Sequence, residues 1–162
     1  MSNQDVQVLI KDSEYTQRLK IDIPLYNYNA NGNDLIKGAY SCLQSAADEF
    51  EKGNVRGVLD DTRNAVTNHL TEVVVENSKK KRILNRQLRS EFLDRAPTEA
   101  YNIYKNVVDN LEVELLAVLE IIHKFVHEDG NKLAMMPMRD DLELTYYSIA
   151  LITSNLARRL SP

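Results

Sequence analysis

Cysteine is all but missing from this chain, with a single residue, Cys42, among 162. One thiol forms neither an internal disulfide nor a thiolate zinc site, so a reducing, cytoplasmic location is expected. Only five glycines and four prolines occur, too few for collagen-like or low-complexity chains. No apolar stretch reaches membrane-spanning length, and Met1 to Asp5 is polar with no small-residue cleavage site behind it, so neither a membrane nor a secretory route is expected. An excess of positive charge is lacking too. The 20 Lys+Arg face 24 Asp+Glu, and a net charge of −4 argues against a generic nucleic-acid coat protein. What remains is a chain 43% hydrophobic and 27% charged, of a length that suits one domain with a real core.

Its patterning is mainly helical. Residues 1–33 stand apart: Val6, Val8 and Ile10, then Leu19, Ile21 and Ile23, alternate with their neighbours, which predicts a short β-hairpin followed by a linker rich in turn formers. Residues 34–162 predict an antiparallel bundle of four to five helices, an all-α fold apart from that hairpin. A first helix is expected over 34–52, capped by Asn33 or Asp34 and stopped at Gly53. A second runs through Val58, Thr62, Val66, Leu70 and Val74. Pro97 breaks the chain, with Thr98 expected to cap the next helix. The long segment 98–128 carries a four-three seam of Tyr104, Val108, Leu111, Leu115, Val118, Ile122 and Phe125, which predicts a helix at the centre of the bundle or at a dimer interface. A last helix repeats the spacing in Leu142, Tyr146, Ile149, Thr153, Leu156 and Leu160.

Charge is unevenly distributed. Lys79, Lys80, Lys81, Arg82, Arg86 and Arg89 place six cations in eleven residues without one acid, so the remaining residues carry −10. Read as a helix, Lys79, Arg82, Arg86 and Arg89 share a face opposite Leu84, Leu88 and Phe92. Such a stripe can neutralise the phosphates of RNA or bind an acidic protein; the plainer reading is a solvated face. No aromatics are interleaved for base stacking, so contact with RNA would be to the backbone.

Histidine is scarce, and each of the three defines a candidate. Glu120, His123 and His127 share one helical face, but the second Glu-x-x-His of a di-iron bundle is missing and so is the zincin glutamate, which makes a structural role the plainer reading and no metal the expectation. Arg63 and His69 are types that together can cleave RNA, the arginine holding the phosphate and the histidine moving a proton. Six residues apart, they lie on opposite sides of a straight helix. The plainer reading pairs Arg63 with Asp60. Tyr26, Tyr28, Tyr101, Tyr104, Tyr146 and Tyr147 are read as core rather than as a pocket lining. With no Gly-rich phosphate loop or nucleophile elbow, no cofactor is expected.

Two stretches carry a family resemblance. Lys37-Gly38-Ala39-Tyr40 through the Gly53-Asn54 turn to Arg63-Asn64-Ala65 resembles the paired first helices of HEPN-like bundles. Phe125-Val126-His127 through Pro137 to Leu156-Ala157-Arg158-Arg159-Leu160 resembles their last loop and helix. HEPN-like domains are helical bundles, often dimeric, found in RNases and in non-catalytic accessory proteins. The resemblance makes His127 the counterpart of the RNase histidine, yet positions 120–122, where its arginine belongs, hold Glu120, Ile121 and Ile122. It therefore implies a non-catalytic, homodimeric accessory that binds RNA or protein. The alternatives are a metal-independent endoribonuclease using Arg63 and His69, or His127, and a purely structural scaffold.

Overall fold

The computed structural model describes residues 33–126 and 135–160 in full, and the backbone of residues 4–11 and 16–23. Near the N-terminus the backbones of β1 (Gln4–Lys11) and β2 (Thr16–Ile23) pair antiparallel, with Gln4 opposite Ile23 and Lys11 opposite Thr16. The rest is mostly helical: α1 (Asp34–Glu51), α2 (Val55–Asn64), α3 (Arg86–Asp94), α4 (Tyr101–Phe125) and α5 (Arg139–Leu160). A second hairpin, β3 (Thr71–Glu76) and β4 (Lys79–Leu84), is inserted between α2 and α3. The helical body thus carries a hairpin of its own between helices, which corrects the expectation that it is all-α.

Asparagine side chains start three of the helices. The Asn33 Oδ1 accepts from the Leu35 and Ile36 amides at 2.8 and 3.4 Å, Asn54 from Gly57 at 3.1 Å, and Asn85 from Gln87 and Leu88 at 2.9 and 3.3 Å. Each satisfies amides that have no partner within the helix. Asn33 also donates from Nδ2 to Glu91 at 2.8 Å, tying the start of α1 to α3. Gly53, at φ +70°, reverses the chain between α1 and α2, a conformation that costs glycine little. Thr98 does not cap α4: residues Thr98–Ala100 form a single 3₁₀ turn without a side-chain cap. Pro97 precedes it and blocks helical backbone at Ala96.

The second helix departs most from expectation. It does not continue to Val74 but widens at Ala65–Leu70 into a π-helical turn and gives way to strand at Thr71. Thr71 ends it twice over, its amide and its hydroxyl both donating to the Val66 carbonyl, the latter at 2.7 Å. The β-branched run of β3 favours extended backbone.

The centre of the body is α5 and not α4. Twelve of the 22 residues of α5 are buried, including all six of its predicted stripe, against five of 25 in α4. Along α4 only Val108, Leu115, Val118 and Ile122 of the predicted seam are buried, and Ile103 and Val113 are each 64% exposed. Asp140 and Asp141 in the first turn of α5 and Arg158 and Arg159 in the last complement its dipole. Arg159 also spreads over the rings of Phe92 and Tyr104, 5.1 and 5.6 Å from their centroids, locking α3, α4 and α5 together at one end. Among the described residues no helix is long and apolar enough to cross a membrane.

A candidate nucleic-acid interface on the central hairpin

The basic run does not form a helical stripe. Lys79, Lys80, Lys81 and Arg82 lie on β4, while Arg86 and Arg89 belong to α3. The expected face shared by Lys79, Arg82, Arg86 and Arg89 therefore does not exist. The hairpin turns through Asn77 and Ser78, at φ 50° and 62°. Positive φ at both central residues matches the right-handed twist of the two strands.

The base of the hairpin is welded to the body and its tip is not. Leu84 is fully buried and Thr71 nearly so. The Leu84 amide donates to the Glu112 carboxylate of α4 at 2.9 Å, and the Asn85 amide to the Leu70 carbonyl at 2.9 Å. Beyond that point exposure climbs, to 48% at Val73 and 71% at Val75.

Ion pairing divides the six cations. Arg86 is held by Glu72, from its Nε at 2.7 Å and its backbone amide at 2.9 Å, and Arg89 by Asp109 at 2.6 Å. The Arg89 guanidinium in turn holds the Asp109 carboxyl below its usual range. Arg82 bends back to donate to the Thr71 hydroxyl at 3.0 Å and the Thr67 carbonyl at 3.4 Å, closing the end of the π-helical turn. Lys81 makes a loose exposed pair with Glu76 at 3.8 Å. Lys79 and Lys80, both exposed, have no carboxylate partner among the described residues. Residues opposite one another in register share a face, so Lys80 and Arg82 lie with Val75 and Val73, and Lys79 and Lys81 with Glu76 and Val74. One face is cationic without an acid; the other is close to neutral.

The other candidates fall elsewhere. Arg63 pairs with Asp60 at 3.2 Å, and Asp60 also holds Arg56 at 2.9 Å. The His69 ring packs over Gly38 of α1, on the other side of a helix contact. Arg63 and His69 are thus engaged by different neighbours. Glu120 and His123 are exposed on α4, and His127, Tyr26 and Tyr28 lie outside the described residues. Among the described residues no three His, Cys, Asp or Glu side chains are placed to hold a metal ion. Tyr146 and Tyr147 meet edge to face at 5.3 Å, and burial is the main cause that pushes both hydroxyls up to about 12. The Cys42 thiol is pushed up by burial and by Asp61, which disfavours the nucleophilic thiolate.

Burial lowers the pKa of His69 from its ordinary value of 6.5. Below that value the unfolded chain binds the proton more readily than the folded one. Stability linked to His69 is therefore complete above pH 6.5 and falls as the pH drops through the lower folded value. Urea unfolding of the wild type and of His69→Gln, compared between neutral and mildly acidic pH, checks this: the wild type loses more stability on acidification than the variant.

No protein-family model, curated protein or solved structure matches the chain.

Proposed function

We propose that this chain is a non-catalytic helical-bundle accessory that binds RNA through the tip of its central hairpin. One observation carries the reading: Lys79 and Lys80 stand exposed without carboxylate partners among the described residues, with Lys81 only loosely paired, at the end of a ribbon whose base is anchored in the body. Outside the 79–89 run the chain carries −10, which repels a polyanion and leaves the hairpin as its point of contact. Since the hairpin carries no aromatic residue, contact is to phosphates and sequence-tolerant. The resemblance to HEPN-like accessories supports the same reading, and so does the commitment of Arg63 to Asp60, which leaves that arginine engaged away from a phosphate.

Fluorescence anisotropy with a labelled single-stranded RNA tests it. Three lysine contacts predict a slope of about −2 for log affinity against log salt, hence about a 20-fold loss between about 50 and 200 mM. Replacing Lys79, Lys80 and Lys81 by alanine abolishes the salt-sensitive binding. Arg89→Ala, which breaks the pair with Asp109, weakens folding rather than binding. Binding that survives the triple replacement, or no binding by the wild type, would refute the reading.

A further inference from the structure

The two edges of the central hairpin are unlike, and the difference points to what one of them is for. The Asn85 amide bonded to the Leu70 carbonyl sets the phase of the ladder. Pairs 72–83, 74–81 and 76–79 then exchange hydrogen bonds, while 71–84, 73–82 and 75–80 turn their N–H and C=O groups outward. At the base those outward amides are taken up by the body, Thr71 by the Val66 carbonyl and Leu84 by Glu112. Further out, no strand among the described residues pairs with the outward groups of Val73 and Val75 on one edge or of Lys80 and Arg82 on the other.

Natural sheets blunt an open edge with charge, above all lysine. The β4 edge is blunted in this way by four consecutive cations. The β3 edge is not: Val73-Val74-Val75 runs without a charge or a proline, and its two outward-bonding residues are also the exposed ones, at 48% and 71%. Left open, such a run is a template for another strand.

We infer that a second copy of this chain adds its own β3 antiparallel to this edge, making a four-stranded sheet in the order β4–β3–β3–β4. Charge and burial select both occupant and register. A β4 edge arriving from another copy would make a head-to-tail contact that does not close, whereas β3 on β3 is isologous and closes as a dimer. Pairing centred on Val74 sets Glu72 against Glu76 twice, a like-charge clash. Pairing centred on Val73 drives Thr71, buried in the body at 4% exposure, against the second copy. Centred on Val75, the ladder places Val75 opposite Val75 of the copy, Glu76 opposite Val74, and Val73 opposite Asn77. No two like charges meet, and the two copies of Val75, the more exposed valine, cover one another. The same face then carries a central apolar strip flanked by Lys80 and Arg82 of each copy.

Sedimentation velocity of the full chain at moderate salt, without nucleic acid, tests this independently of RNA binding. The wild type dimerises, and its Val73 and Val75 amides exchange slowly in proportion to the dimer. Val75→Lys sets two lysines face to face across the axis and weakens dimerisation by at least about tenfold. Val75→Pro removes only an outward N–H, leaves the inner ladder intact and has the same effect. Circular dichroism of both variants matches the wild type. A wild type that stays monomeric, slow exchange of these amides in a monomer, or a dimer indifferent to both replacements overturns the inference.

Discussion

Leu156→Ala costs the fold about 2–5 kcal/mol, whereas Ile103→Ala, on the longest helix, changes stability by no more than about 0.5 kcal/mol. Both side chains are large and apolar, so composition does not separate them; position does. Leu156 is fully buried on α5, the helix at the centre of the body, and Ile103 is 64% exposed near the start of α4. Removing three carbons at Leu156 takes away their transfer free energy and leaves a void that the surrounding helices fill only in part. At Ile103 the same atoms already face water. Urea unfolding of both variants beside the wild type gives the two values directly. Equal losses would mean that Ile103 is packed against the body instead of facing water.

This contrast shows where sequence spacing informs and where it misleads. In α5 the pattern Leu142, Tyr146, Ile149, Thr153, Leu156, Leu160 coincides with burial at every position, because helices surround that element and a stripe is its minimum requirement. In α4 an equally regular seam meets neighbours on only part of its length. Periodicity reports which face would be buried, not whether anything is there to bury it. The start of α1 and the turn between α1 and α2 were legible for a more local reason: Asn33, Gly53 and Asn54 act on backbone groups within three residues of themselves.

The central hairpin was hidden by coincidence of pattern. Thr62, Val66, Leu70 and Val74 keep a four-residue spacing straight through the point where helix becomes strand, and Lys79, Arg82, Arg86 and Arg89 extend the illusion. Two signals ran the other way: the β-branched run of Thr71, Val73, Val74 and Val75, and Asn77-Ser78 between it and the lysines. Serine is a weak marker for a turn needing positive φ at both centres, where glycine would have been plain. The division of the six cations could not be read at all, since Arg89 finds Asp109 twenty residues away and Leu84 finds Glu112 only after the chain has folded. Among the candidate residues, the sequence set the lysines on the wrong element, a helix where the chain forms the strand β4.

Gly38→Ala lowers stability by about 1–3 kcal/mol in the wild type, and stabilises by up to about 1 kcal/mol in a His69→Ala background. A glycine inside α1 is anomalous by propensity alone, since alanine there would favour the helix. The reason lies across the contact: a Cβ on Gly38 would overlap the Nδ1 and Cε1 atoms of His69 and come within 2.8 Å of its Cγ. The ring is held on the π-helical turn that leads into β3, so it cannot give way without rotating toward solvent or shifting that turn. Either response removes burial from the imidazole, and its pKa returns toward 6.5. Removing the ring removes the clash and leaves only the gain in helix propensity, which is why the sign reverses. Thermal or urea unfolding of the wild type, the two single variants and the double variant closes the cycle, and NMR titration of His69 in Gly38→Ala reports where the ring has gone. Additive effects, or an unchanged His69 titration, would mean that the ring does not rest on α1.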